Sequence, residues 1–357
     1  MATPKKRGML IWTTGPSGCG AQRYLKDCQA DCENEGKKVK IHHLGKMMFS
    51  WIWENLGTEM KGDTVLNRHK EYLDLARMAV LGEIRHSLDR DLEENDAVFV
   101  RSHSVFYWRG CYTPAYNERF IMSLNHPPDM FVAFIDAAAD ILKVLRKRDQ
   151  WCDQDLSEKD LWLWQNIEVD NARRYLYLFE PNKNRRFFVI PVKQPAQTLY
   201  RLLFEPWRPI VYAQMPISHV EPHELEKVND FIKQLWKWCV VFNPLTIETG
   251  TVEHAGSSDE TKIRHCQTAH RDLEWFIPQC DIALAYWVKV VCSPGVVDET
   301  AEASQLGKEA WIIFPGDYSP FIQYRAKPHR IFSTPEEALE FLEKVYMPTI
   351  REKWNIK

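Results

Sequence analysis

His270-Arg271-Asp272-Leu273-Glu274-Trp275-Phe276, then Ile277-Pro278-Gln279-Cys280-Asp281-Ile282-Ala283-Leu284-Ala285, then Ser293-Pro294-Gly295-Val296-Val297-Asp298-Glu299, and finally Leu306-Gly307-Lys308 decide how the C-terminal half folds. The pattern predicts a helix closing on an aromatic, a short buried strand, a Gly/Ser loop, and a helix carrying a carboxylate in its first turn. Repeated, this unit builds a parallel α/β sheet, whose strand ends converge on one crevice where ligands sit. A lone Glu at a helix start is an ordinary cap, stabilised by the helix dipole at about 0.3–1 kcal/mol. Here Gly295 precedes Glu299 in a loop, and Asp272 and Asp281 lie on the preceding elements. That grouping makes Glu299 a candidate nucleophile.

These residues resemble the nucleoside 2-deoxyribosyltransferase superfamily, and within it the nucleoside 5′-monophosphate N-glycosidases, whose motif runs Asp-Leu-x-Trp, a strand beginning with Asp, then Ser-x-Gly-x-x-x-Glu and Leu-Gly-Lys. Ile210-Val211-Tyr212-Ala213-Gln214-Met215-Pro216-Ile217-Ser218 is similar to the family's opening strand, and Val241-Phe242-Asn243-Pro244 to its second, so the resemblance covers roughly residues 209 to 345. It implies Glu299 as nucleophile, Asp272 as the carboxylate assisting at sugar and base, and Tyr212 as the hydroxyl positioning Glu299. It also implies a substrate-binding set of Ser293, Gly295, Ser218, His219 and Asp281, with Ser319 donated from a neighbouring subunit of a homo-oligomer. Ser293 stands where transferases usually carry an Asp for the free 5′-hydroxyl; removing that charge and adding a donor suits a 5′-phosphate. One departure is that Met215-Pro216-Ile217-Ser218 replaces the Gly-Ser-Ile-Arg of the monophosphate hydrolases.

The expected activity is hydrolysis of the N-glycosidic bond of a nucleotide, releasing free base and sugar phosphate, with no cofactor and no metal. A deoxyribosyltransferase, in which a free base replaces water, and a non-catalytic nucleotide sensor are the alternatives.

The N-terminal half opens with the buried-strand pattern Gly8-Met9-Leu10-Ile11-Trp12-Thr13-Thr14, running into Gly15-Pro16-Ser17-Gly18-Cys19-Gly20-Ala21-Gln22 and a polar helix. Strand, Gly-rich loop and helix are the parts of a P-loop, whose backbone N–H groups cradle phosphates at Gly15, Gly18 and Gly20. Ala21 stands where the phosphate-reaching Lys belongs and Gln22 where the magnesium-holding Ser/Thr belongs. Further along, the strand with Arg101-Ser102-His103, the Gly110-Cys111-Tyr112 turn, Asn125-His126-Pro127-Pro128-Asp129 with its strand, the basic helix Ile141 to Arg148, and Gln165 with Asn171-Ala172 resemble an adenylate-kinase-like nucleotide kinase over roughly residues 8 to 195. The implied domain is a degenerate kinase fold that binds a nucleotide, if at all, without phosphoryl transfer. A bare Gly-rich turn would be the structural alternative.

Composition bounds the remaining classes. A chain of 357 residues is long enough for two cores, and the punctuation from Pro195 to Pro209 marks the join, giving domains 1–205 and 206–357. The expected fold is α/β: two domains, each a mainly parallel sheet with flanking helices, the first P-loop kinase-like and the second deoxyribosyltransferase-like and Rossmannoid. A net charge of −3 with both signs scattered gives no electrostatic case for polymeric nucleic acid or an anionic membrane. No apolar run approaches the roughly 20 residues of a membrane span. Nine dispersed cysteines without a Cys-x-x-Cys pair fit reduced thiols, and with no signal-peptide pattern the expected location is cytoplasmic. The partner that the resemblance implies is a small-molecule nucleotide.

His42, His43, His265 and His270 lack carboxylate or Cys partners at ligand spacing, so ordinary polar contacts are expected of them. The 14 tryptophans read mainly as packing, and Arg325 to Arg330 as a solvated loop. The last helix, Pro335 to Met347, carries apolar residues at Ala338, Leu339, Phe341, Leu342 and Val345 and should pack against the second sheet.

Overall fold

The computed structural model describes residues 7–59, 61, 65–115, 118–179, 186–247 and 259–356. The chain divides into two compact units, Met1–Ala196 and Gln197–Lys357, so the division lies at the head of the proline-punctuated stretch and the helix Gln197–Phe204 belongs to the second unit. Each unit is α/β with a parallel sheet flanked by helices, as expected. Among the described residues no helix is long and apolar enough to cross a membrane.

The strands of the first unit are β1 (Met9–Thr14), β2 (Val39–His43), β3 (Ala97–Arg101), β4 (Val105–Trp108), β5 (Cys111–Pro114), β6 (Met130–Ile135) and β7 (Arg186–Pro191). Five of them form a parallel sheet in the order β2-β3-β1-β6-β7, while β4 and β5 pair as an antiparallel hairpin. A central parallel strand is covered on both faces, which is why Leu10 to Thr14 is at most 2% exposed and its sequence does not alternate. On one face Val80, Ile84 and Leu88 of the helix Lys70–Glu94 pack with Leu10, Val98 and Val100. The helix Glu158–Tyr177 begins in a capping box, with Ser157 and Asp160 exchanging side-chain and backbone bonds. Each satisfies an otherwise orphaned donor.

The second unit contains β8 (Ile210–Gln214), β9 (Val240–Phe242), β10 (Ile282–Tyr286), β11 (Glu309–Ile313) and β12 (Ile331–Phe332), all parallel in the order β12-β11-β10-β8-β9. Strand order reverses between β8 and β10, where Tyr212 stands beside Ala283. A reversal of this kind opens the crevice that α/β sheets use for ligands. Val228, Phe231 and Ile232 of the helix Pro222–Leu235 seal one face against Val211, Ala213 and Leu284. Val296 of the helix Pro294–Gln305 packs on the other, against Ala285 and Ile312.

Two expectations need correction. The last helix does not end at Met347: Pro335–Phe341 passes through a π turn, Leu342–Tyr346, into Met347–Trp354. A π turn adds a residue to the helical repeat and so resets which side chains face the core. Ala338 and Leu342 pack in the core of the second unit, as does Met347 beyond the turn, whereas Val345 within the turn is 52% exposed. Nor is all of the run Arg325 to Arg330 solvated. Arg330 bonds Glu309 at 2.9 Å and its guanidinium lies 4.4 Å from the Phe341 ring centroid, so its aromatic bed and carboxylate partner hold it in the protein.

Candidate active site

Tyr212 lies in the middle of β8 and is wholly buried, with its ring 5.7 Å from that of Phe276. Its hydroxyl donates to Glu299 Oε1 at 3.3 Å, a long contact for an O–H donor. Strand adjacency explains the meeting: β10 runs beside β8, and the chain leaving β10 enters the helix that carries Glu299.

Glu299 is not in the first turn of that helix, as the sequence suggested. Pro294 occupies the opening position and Ser293 the N-cap, which places Glu299 in the second turn and leaves the first without an acidic residue. The favourable helix-end field acts mainly within the first turn, so capping does not account for the carboxylate. Burial raises the Glu299 pKa well above the usual carboxylate range, the charge of Asp272 adds to the rise, and the Tyr212 hydrogen bond opposes it. Burial likewise pushes the Tyr212 hydroxyl well above its usual value, with the charges of Asp272 and Glu299 next in weight.

Asp272 opens a π turn, Asp272–Phe276, that interrupts the long helix after Arg271. Such turns reposition side chains and recur at functional sites. Arg271 and Asp272 are each 7% exposed and face one another, with Nε to Oδ1 at 3.1 Å and Nη2 to Oδ2 at 3.5 Å. Arg271 also lies 5.7 Å from the Phe276 ring. A carboxylate fixed by a cation thus stands beside a carboxyl group disposed to hold a proton.

Ser293 is buried, yet its hydroxyl makes no capping bond to the helix it begins. Together with the first-turn backbone at Gly295, which is exposed, it leaves polar donors available at a helix N-terminus, the arrangement that suits an anion. In the same helix, Thr300 Oγ1 donates to Val296 O at 2.7 Å and lies 3.1 Å from Gln214 Oε1, while Gln214 Nε2, buried, finds no acceptor among the described residues. Arg271 and Gln214 were not singled out from sequence. Their adjacency to motif residues was the available signal, but only the turn geometry shows which way they work.

Asp281 does not join this group. It lies at the starting edge of the strands, where its Oδ2 accepts from Ile210 N at 2.8 Å; it ties β10 to β8 and is corrected from substrate binding to a structural role. His219 is exposed, and no hydrogen bond or ion pair among the described residues links it to Glu299; Ser319, the residue expected from a neighbouring subunit, is exposed at the N-cap of the helix Pro320–Arg325. Ser218 has its backbone in the short turn Ile217–His219, and its side chain lies outside the described residues.

In the first unit, the glycine loop follows β1 into the helix Ala21–Asn34. Gly15 has φ 152°, and a Cβ there would stand 2.6 Å from the Phe134 carbonyl oxygen, so only glycine fits. Gly20 enters the helix with φ 87°, and Gly18 has φ 84° against the Leu145 side chain. The loop is braced from behind. His103 Nδ1 donates to Gly15 O at 2.6 Å, and Glu168 Oε2 accepts from Thr14 Oγ1, from Ser104 N at 2.9 Å and from Ser104 Oγ at 2.6 Å. The geometry of a phosphate loop is therefore built, while Ala21 and Gln22 leave it without the usual chemistry.

No family model and no curated protein matches this chain. Among solved structures it is similar to a shikimate kinase from Bacteroides thetaiotaomicron, at 14% identity and a TM-score of 0.34 over 55% of this chain and 98% of that one. A shikimate kinase from Acinetobacter baumannii, in complex with shikimate, aligns at 13% identity and a TM-score of 0.33 over 56% of this chain and 94% of that one.

Proposed function

We propose that the second unit is a nucleotide N-glycosidase with Glu299 as its nucleophile. The observation that carries this reading is the meeting of Tyr212, Asp272 and Glu299 at the strand-order reversal between β8 and β10. Burial and a neighbouring charge give the pair one easily held proton, the device by which two carboxyl groups divide acid and nucleophile roles.

In the free site Glu299 holds that proton. As a nucleotide binds and positive charge develops at C1′, Glu299 gives up the proton through Asp272 to the departing base, and its carboxylate bonds C1′ as the C1′–N bond breaks. The bonding electrons leave with the base. Water then attacks C1′, the ester to Glu299 is released, and the water's spare proton returns to the carboxyl pair. Tyr212 keeps Glu299 aimed, Arg271 fixes Asp272, and Ser293 with the adjoining backbone receives the 5′-phosphate.

The test is incubation with a panel of nucleosides, nucleoside monophosphates and NAD, followed by chromatography for free base. Release from a monophosphate in preference to its nucleoside supports the reading; release from no member of the panel overturns it.

A further inference from the structure

The first unit has a cavity of about 220 Å³ beside the glycine loop, which reaches it at Ser17. Met48, Phe49, Leu73, Phe106 and Trp151 form an apolar wall, while Lys46, Arg101 and His103 supply polar lining. Arg101 ends β3 and is only partly exposed, yet its guanidinium makes no hydrogen bond or ion pair with any described residue. Arg77, also at the cavity, is by contrast engaged by Asp74 at 2.6 Å.

Two independent observations mark Arg101 as awaiting an anion. The indole N–H of Trp151, a residue 2% exposed, has no acceptor among the described residues. His43 is pushed down to about 4 by burial and then by the charges of Arg101, Lys46 and Lys26, which records how positive this neighbourhood is. A buried donor without an acceptor and a poorly solvated cation whose nearest negative charge, Glu168, makes no hydrogen bond to it both cost free energy, and an oxyanion in the cavity would offset that cost.

We propose that this cavity binds a small aromatic anion, a ring seated on the Phe106–Trp151 wall and a carboxylate or phosphomonoester on Arg101. A cavity of roughly 150 Å³ accommodates benzene, so the larger space here suits a ring with one anionic group. The ligand is bound and not phosphorylated, because the adjoining loop has Ala21 in place of the transferring lysine.

Titration calorimetry on the full chain tests this with phenyl phosphate, benzoate, phenol and inorganic phosphate. At least one aromatic anion should bind at one per chain, at least tenfold more tightly than phenol and inorganic phosphate. Arg101→Gln should weaken that binding at least tenfold with a melting temperature no lower than the wild type's. Trp151→Phe, which removes only the N–H and keeps an aromatic wall, should weaken it severalfold and serves if Arg101→Gln does not fold. Absence of binding by both anions at millimolar concentration overturns the proposal. So does phenol or inorganic phosphate matching the anions, or unchanged affinity in whichever variants fold.

Discussion

Replacing Glu299 by Gln should stabilise the protein at neutral pH, in spite of removing a residue from the middle of the site. Burial and Asp272 raise the Glu299 pKa in the folded chain above its value in the unfolded one. Between those two values the folded state holds the extra proton, so stability is full below the ordinary carboxylate range and declines as pH climbs toward the raised pKa. The slope is at most about 1.4 kcal/mol per pH unit for one group. Glutamine mimics the protonated side chain in shape, its carbonyl can still accept from Tyr212, and it never ionises. Variant and wild type should therefore melt together near pH 4, and the variant should gain roughly 2–4 °C per pH unit above that until Glu299 is fully ionised. Melting curves measured from pH 4 to pH 8 give the gap. Parallel curves at all pH values, or a variant that falls behind as pH rises, would refute the electrostatic argument.

Three further outcomes are expected. Tyr212→Phe should lower base release by about 10- to 100-fold, the usual range for a lost orienting hydrogen bond being a few kcal/mol, and should move the alkaline limb of the rate profile to higher pH, since the mechanism starts from protonated Glu299 and the Tyr212 bond lowers its pKa; an unmoved alkaline limb would contradict it. Ser293→Asp should penalise monophosphates far more than nucleosides, because a carboxylate facing phosphate is repulsive, and equal losses on both substrates would remove the phosphate assignment. The full chain should consume no ATP in the presence of magnesium, given Ala21 and Gln22; consumption abolished by Gly15→Ala would reveal a working kinase.

The fold and part of the site were legible because their signals are local. A covered parallel strand reads as an unbroken apolar run, as in Leu10 to Thr14, and a glycine loop reads directly because Gly15 has no room for a Cβ. That Glu299 and Tyr212 would meet followed from the family resemblance, and the two side chains do meet because β10 lies beside β8. The π turns at Asp272–Phe276 and Leu342–Tyr346 were not, since one extra residue per turn leaves no mark in composition. The work of Arg271 and the exposure of Val345 result from those turns. Asp281 misled because a strand-initial carboxylate looks alike whether it faces a ligand or, as here, the backbone N–H of Ile210. Arg101 gave no sign, because the absence of a partner is a property of three dimensions.

The central claim is that Glu299 forms a bond to C1′ of a nucleotide. Its most direct measurement compares free-base release by wild type and Glu299→Gln on the most active member of the nucleotide panel, with the melting temperature of both proteins recorded in the same buffer. The account predicts release by the wild type and a loss of several powers of ten in the variant, each worth about 1.4 kcal/mol of barrier, while the variant melts no lower than the wild type. Near-wild-type turnover by a folded Glu299→Gln would contradict it.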